Sequence, residues 1–157
     1  MNIIHRVTES GHSTVMNERW ILVASREEAR IFSLTAERDL VLIADIGNPT
    51  ARLKLQDLES DTPGRVSDNR MRARYPLRSE ETSVERLLRD FYREVFDFLE
   101  KKFFAHEFSH LTCIAEPRLL GILRRLYPSA LERIKPDEIP KDLSFEPPPN
   151  IAKYLHR

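Results

Sequence analysis

The fold of this chain is decided by the stretch His110-Leu111-Thr112-Cys113-Ile114-Ala115-Glu116-Pro117-Arg118-Leu119-Leu120-Gly121. Its first half, Leu111–Ala115, is a short run of small, apolar and β-branched residues, which predicts a buried strand. Pro117 suits the first position of a helix, because the N–H that proline lacks has no partner there in any case. Leucines and isoleucines after it recur with helical spacing. The stretch therefore predicts a strand that leads directly into a helix, which is typical of an α/β domain.

Three further strands are predicted upstream. They are short runs rich in aliphatic and β-branched residues: Trp20–Ala24, Ala29–Leu34 and Leu40–Ala44. Short charged breaks separate them, and links of this length favour an antiparallel meander. Residues 1–18 show no period and are predicted to be a flexible N-terminal extension.

Between the meander and the strand Leu111–Ala115, the sequence predicts a long helix. Thr82 or Ser83 can cap it, and apolar residues then recur with a period of about 3.6 residues. Farther on, 131–139 predicts either an edge strand interrupted by proline or a short helix followed by a strand. Three prolines, Pro147–Pro149, are predicted to end the compact part.

The elements together predict one α/β domain over 19–146, with a long loop at 48–81 and a C-terminal tail at 147–157. Residues 151–157 could be either a docked turn of helix or a frayed end. An antiparallel meander followed by helix, strand, helix and strand predicts a mixed sheet covered by helices. This is broadly the topology of ribonuclease H and of the middle domain of release factors.

The composition of the chain narrows the classes of function that it can have. The chain has 157 residues, with 25 Lys and Arg against 25 Asp and Glu, so any affinity for a polyanion must come from a local patch. No segment is apolar for long enough to span a membrane, and Met1–Asn17 lacks the apolar core of a signal peptide. The single cysteine, Cys113, falls in the predicted buried strand and reads as a small hydrophobic residue. We therefore predict a cytoplasmic protein with no membrane association.

His106-Glu107-Phe108-Ser109-His110 matches the H-E-x-x-H pattern of zinc hydrolases. Zinc binding by this pattern needs both imidazoles on one face of a helix that continues through the motif. Here the preceding helix must end so that the strand at Leu111 can begin, so the pentapeptide is predicted to be a turn. The sequence accordingly predicts no metal site and no cofactor.

A metal-dependent nuclease is a further alternative. Such an enzyme needs several carboxylates that converge on metal ions. Glu85 and Glu116 stand where two of these could be, but the first predicted strand, 20–25, carries no carboxylate. Glu116 also reads simply as an acid at a helix N-terminus. No catalytic residue is assigned, and we predict that the protein is not an enzyme.

The best candidate for a binding surface is the long loop. Its predicted binding residues are Asp61, Gly64, Arg65, Arg70, Arg72, Arg74, Tyr75 and Arg78. Arginine guanidinium groups bind phosphate in a bidentate manner, and an aromatic ring can stack on a base, so this composition favours RNA or another polyanion. The alternative is a solvated loop whose arginines pair with nearby carboxylates. The sequence Asp61-Thr62-Pro63-Gly64 is also explained by a turn that has only a structural role.

Four motifs in order resemble a bacterial family, the host attachment proteins, described as required for attachment to host cells. They are Trp20–Ala24 with Ala29–Phe32, Asp57–Arg65, Ala115–Gly121 and Lys141–Ser144. The chain departs from the family in its N-terminal extension, in Glu116 where proline is common, and in a shortened, arginine-rich loop. The family is similar to bacterial relatives of the archaeal and eukaryotic peptide-chain release factor. This resemblance implies contact with the ribosome or with structured RNA.

The sequence leaves three functions open. The first is a cytoplasmic module without catalytic activity that binds the ribosome or RNA, related to release factors but without their Gly-Gly-Gln sequence. The second is an attachment-related protein that works through a protein partner. The third is a metal-dependent hydrolase or nuclease. The oligomeric state is not predicted.

Overall fold

The computed structural model describes the side chains of residues 18–51 and 83–155 and the backbone of one further strand near the N-terminus. The strands are β1 (Ile4–Val7), β2 (Arg19–Ala24), β3 (Glu28–Leu34), β4 (Leu40–Gly47), β5 (His110–Ala115) and β6 (Asp137–Pro140). The helices are α1 (Ser83–Phe104), α2 (Pro117–Arg124), α3 (Ser129–Arg133) and α4 (Pro148–Ala152), the last continued by a 3-10 turn at Lys153–Leu155.

The strands form one mixed sheet in the order β1-β4-β3-β2-β5-β6. Strands β2, β3 and β4 are the predicted antiparallel meander. Strand β5 lies parallel to β2, and β6 lies parallel to β5. The carboxyl ends of β2, β4, β5 and β6 therefore meet at one edge of the sheet, which we call the carboxyl edge.

One face of the sheet, the first face, is covered by α1, α2 and α3. Alternate residues of β2, such as Trp20 and Leu22, point to this face and pack with the apolar side of α1. Phe108, just after α1, stacks on the Trp20 ring with the ring centroids 4.8 Å apart. The periodicity predicted for α1 is confirmed, since its buried residues are Leu88, Phe91, Tyr92, Val95, Phe96 and Leu99.

The opposite face, the second face, is covered by the chain after β6. Ile21, Val23 and Ile114 pack there with Leu143 and with Ile151 of α4. Ile151 is fully buried. Of the two alternatives for the C-terminal residues, the structure therefore shows the docked helical turn, which continues to the end of the 3-10 turn at Leu155. The prediction of a tail at 147–157 is corrected for these residues. The three prolines start a short helix here, because proline is tolerated in the first turn.

The N-terminal segment also differs from its prediction. Residues 1–18 are predicted to be a flexible extension that precedes the domain, but Ile4–Val7 pair antiparallel with β4. The pairing uses backbone groups, which carry no signal in the side-chain pattern. Residues 131–139 follow the second predicted alternative, a short helix (α3) and then a strand (β6). None of the helices in the described part of the chain is long and apolar enough to cross a membrane.

Cys113 lies in β5 and is fully buried, as predicted. Burial raises the pKa of its thiol to about 12. At pH 8 this lowers the thiolate population on the order of a thousandfold relative to an unfolded chain, where cysteine has a pKa of about 8.5. We therefore expect iodoacetamide to label Cys113 at pH 8 only after denaturation in urea. Labelling of the native protein as fast as that of the denatured chain would contradict this burial.

Tyr92 gives a second test of the packing. Its hydroxyl is buried under the turn between β2 and β3 and donates to the carbonyl oxygen of Ser25 at 2.5 Å. We expect Tyr92→Phe to lower the free energy of unfolding by about 1–3 kcal/mol, because it leaves this carbonyl without its donor. Urea denaturation measures the change. The control is Tyr154→Phe at a ring that is 39% exposed, for which we expect less than about 0.5 kcal/mol.

Candidate functional site at the carboxyl edge

A shallow depression of about 150 Å³ lies at the carboxyl edge. Its lining includes Ser25, Arg26, Glu116, Asp142 and Phe145. These residues come from the ends of β2 and β5 and from the segment after β6. Sites in α/β proteins commonly form where strand ends meet in this way, because the loops there are free to carry function on a rigid base.

The floor of the depression is the turn between β2 and β3. Ser25 Oγ accepts hydrogen bonds from the backbone N–H groups of Glu27 at 3.2 Å and Glu28 at 3.1 Å. The Tyr92 hydroxyl donates to the Ser25 carbonyl from below. Burial raises the pKa of this hydroxyl well above its ordinary value, so it remains a donor at physiological pH. The turn is held from both sides, and Arg26 is presented at its tip.

The wall of the depression is the segment Asp142–Glu146, which is fixed by Arg30 on the second face. Arg30 Nη2 donates to the carbonyl oxygens of Leu143 at 3.0 Å, Ser144 at 2.6 Å and Glu146 at 3.1 Å. Asp142 Oδ1 also accepts from the backbone N–H of Ser144 at 3.1 Å. A guanidinium group suits this task because its donors are fixed in one plane. Sequence reasoning missed Arg30, because its partners are backbone groups more than a hundred residues away.

Phe145 lies on this wall and is 86% exposed. Its neighbours Leu143 and Ser144 are buried, so the fixed backbone holds the ring outward. Phe145 is a binding candidate because its exposed ring lines the depression at the carboxyl edge on an ordered segment. Sequence reasoning missed Phe145 too. The available signal was an isolated aromatic residue between polar residues, just before the triple proline.

The predicted binding residues Asp61, Gly64, Arg65, Arg70, Arg72, Arg74, Tyr75 and Arg78 lie outside the residues that the structure describes. The structure does describe the residues on either side of 52–82. On one side, β4 ends at the carboxyl edge, where Asn48 donates through its backbone N–H to the Glu27 carbonyl at 2.7 Å. On the other side, α1 starts near the same edge, since its Glu85 accepts from Arg118 of α2 at 2.8 Å. Asn48 and Glu85, which lie on either side of 52–82 in the sequence, are thus both at the edge that carries Phe145.

The two carboxylates considered for a nuclease are each paired with an arginine. Glu116 Oε1 lies 3.6 Å from Arg26 Nε, and Glu85 accepts from Arg118. Glu116 precedes α2 at its N-terminus, as predicted, although its side chain caps no backbone N–H. Within residues 18–51 and 83–155, no group of three or more His, Cys, Asp or Glu side chains comes close enough to hold a metal ion.

The H-E-x-x-H pentapeptide forms the turn that the sequence predicts between α1 and β5. His106 has φ 59°, in the left-handed region, which ends the helix. The His106 N–H donates to the Phe103 carbonyl and the Glu107 N–H donates to the Lys102 carbonyl, the two bonds of a Schellman motif. The Glu107 carboxylate pairs with Lys102 Nζ at 3.1 Å. The two histidines are therefore on a helix terminus and a strand, and the motif lacks the single helix that zinc chemistry requires.

The chain matches a known protein family over most of the elements described above. A family model described as "protein required for attachment to host cells" matches residues 20–155. The chain belongs to this family. The match to the host attachment family begins in β2 and ends in the 3-10 turn, so it includes the carboxyl edge and the segment held by Arg30. No curated protein matches the chain.

The bonds made by Arg30 give a test of how the wall is fixed. We expect Arg30→Met to lower the free energy of unfolding by about 2–4 kcal/mol, because charge-assisted hydrogen bonds to carbonyls are lost while the aliphatic stem is kept. Hydrogen exchange at residues 143–155 should also become faster. The control is Arg93→Met on α1, where the side chain is 61% exposed, and it should change stability by less than about 0.5 kcal/mol. Unchanged exchange in Arg30→Met would show that the segment is held by its apolar contacts alone.

Proposed function

We propose that this host attachment family protein is a cytoplasmic RNA-binding module without catalytic activity, and that it contacts RNA, on the ribosome or elsewhere, at the carboxyl edge. The observation that carries the proposal is that Phe145 lies at the same edge as Asn48 and Glu85, the described residues on the two sides of the arginine-rich sequence. Single-stranded RNA is commonly recognised by aromatic rings on which bases stack and by arginines that bind the phosphates. In this proposal the arginines and Phe145 act together on RNA at the carboxyl edge.

The charge distribution supports a role for the segment itself. At the edge, Arg26 and Arg118 are each close to a carboxylate, Glu116 and Glu85, so these pairs add little net charge. Between Arg65 and Arg78 the sequence has five arginines against one acid, Asp68. The net charge of the whole chain is zero, so this local excess is the main candidate for attraction to phosphate.

The proposal also includes a more specific fold than a mixed α/β domain. Three antiparallel strands followed by two parallel ones, in the order β4-β3-β2-β5-β6, support a ribonuclease-H-like topology related to the release-factor middle domain. The chain contains no Gly-Gly-Gln sequence, so the proposal includes no hydrolysis of peptidyl-tRNA. In this view RNA contact, without the release reaction, is what the protein shares with release factors. Attachment to host cells would then be an indirect effect of RNA binding.

Filter binding of the full chain to an RNA hairpin with a single-stranded loop tests the proposal. We expect affinity to fall steeply with salt, since counterions are released from each contacted phosphate. The triple variant Arg70→Ala, Arg72→Ala, Arg74→Ala should bind at least about tenfold more weakly and with a shallower salt dependence. RNA that copurifies with the protein can be sequenced to identify the natural target.

Phe145→Ala separates stacking from charge. Loss of one stacked base costs about 1–3 kcal/mol, so we expect affinity to fall about fivefold to 150-fold with the salt dependence unchanged. Phe104→Ala is the matched control, because Phe104 is 63% exposed at the far end of α1. The proposal would be overturned if the protein retains no RNA, or if retention does not depend on salt. Capture of a specific protein instead would favour the alternative of an attachment-related protein that works through a protein partner.

A further inference from the structure

The depression at the carboxyl edge has an excess of carboxylates in its lining. Of the described residues, Glu27, Glu116 and Asp142 line it, with Arg26 as the single cation. Glu27 and Asp142 are exposed, and the side chains of Glu116 and Arg26 are 42% and 56% exposed, so a ligand in the depression can reach all of them. This lining repels a phosphate group and favours a neutral ligand that offers N–H donors.

The hydrogen bonds within the lining show which groups remain for a ligand. Asp142 Oδ1 accepts from the backbone N–H of Ser144 at 3.1 Å and from its hydroxyl at 2.5 Å, whereas Oδ2 accepts no hydrogen bond from the described part of the chain. Glu116 Oε1 lies 3.6 Å from Arg26 Nε, which is too long for a hydrogen bond. The hydroxyl of Ser25 donates within the protein, like that of Ser144. Carboxylate oxygens are therefore the main acceptors open to a ligand, and a guanidinium group lies beside one of them.

Phe145 is the independent observation that points to a flat ligand. Carboxylates alone would suit any cation, but the Phe145 ring lines the same depression and is 86% exposed. An exposed aromatic ring beside hydrogen-bonding groups suits a planar group that stacks on it. The volume of about 150 Å³ is enough for one aromatic ring, since a cavity of this size in another protein holds benzene.

The Watson–Crick edges of the four RNA bases differ in what they offer to carboxylates. Guanine has two adjacent donors, N1–H and the N2 amino group, next to the acceptor O6. Adenine and cytosine place an acceptor nitrogen beside their amino group, and uracil has one N–H between two carbonyl oxygens. These edges are open to protein groups when the base is unpaired. A lining with several carboxylates and one guanidinium group therefore fits guanine best.

On the basis of the RNA binding proposed above, we propose that the depression is a pocket for one unpaired guanine of the bound RNA. The base stacks on the Phe145 ring. Glu116 accepts from N1–H, and Arg26, which lies beside Glu116, donates to O6. Asp142 Oδ2 accepts from the N2 amino group, which the other three bases lack.

Filter binding of the full chain to RNA hairpins with one varied base in a loop of uridines tests the proposal. We expect guanine at this position to give about fivefold to 150-fold higher affinity than adenine, cytosine or uracil. Inosine, which lacks the N2 amino group, should bind about twofold to tenfold more weakly than guanine, because one hydrogen bond is lost. 7-Deazaguanine, which differs only at the opposite edge of the base, should bind like guanine.

Asp142→Asn is the decisive variant. It keeps an oxygen for the bonds from Ser144 but replaces the acceptor Oδ2 with an amino group, which is a donor. We expect guanine and inosine to bind this variant equally tightly, while its urea midpoint stays close to that of the original chain. The matched control is Asp90→Asn on α1, where the side chain is 56% exposed, and this variant should keep the preference for guanine.

The outcomes separate this pocket from the RNA binding on which it rests. Salt-dependent binding with equal affinity for all loop bases would overturn the guanine pocket and leave the proposed RNA binding intact, whereas failure to retain any RNA would overturn both. Weaker binding of 7-deazaguanine but not of inosine would also overturn the pocket. If an arginine-rich peptide binds the original chain but not Asp142→Asn, and RNA shows no base preference, the depression instead takes a basic side chain of a protein partner.

Discussion

Strand β2 has both of its faces buried, and the rest of the fold follows from this constraint. Trp20 and Leu22 pack under the helices of the first face, while Ile21 and Val23 need a cover of their own on the second. Backbone groups of β2 are paired on both sides, with β3 antiparallel and β5 parallel. A parallel neighbour requires a crossover connection, which α1 supplies. The covering of the second face then requires the chain to return after β6.

That return explains how an ordered surface forms without a long element of secondary structure. Segment Asp142–Glu146 has no strand partner, so its carbonyl oxygens need donors from elsewhere. Arg30 provides them from β3, and Ile151 anchors the short helix that follows. The exposed ring of Phe145 depends on this segment.

The sequence predicted what depends on side-chain periodicity. The meander, α1, the strand in which Cys113 is buried and the helix that begins at Pro117 all carry apolar residues at the spacing of their element, and all are found. Contacts made by backbone groups leave no such pattern, which is why the strand Ile4–Val7 and the role of Arg30 were missed. Phe145 was missed for a related reason. Its importance lies in an exposed ring, and that exposure depends on the three-dimensional surroundings and not on local spacing.

The outermost strands of the sheet have a consequence for self-association. Strands β1 and β6 have four residues each, whereas β4 has eight. Strand β6 also carries Asp137 and Glu138 and ends in Pro140, which has no N–H to offer a neighbouring chain. Long, apolar sheet margins are the places where proteins join into fibrils, and short, charged, proline-terminated margins discourage it. The β6 margin therefore offers little template for amyloid growth, even at high concentration.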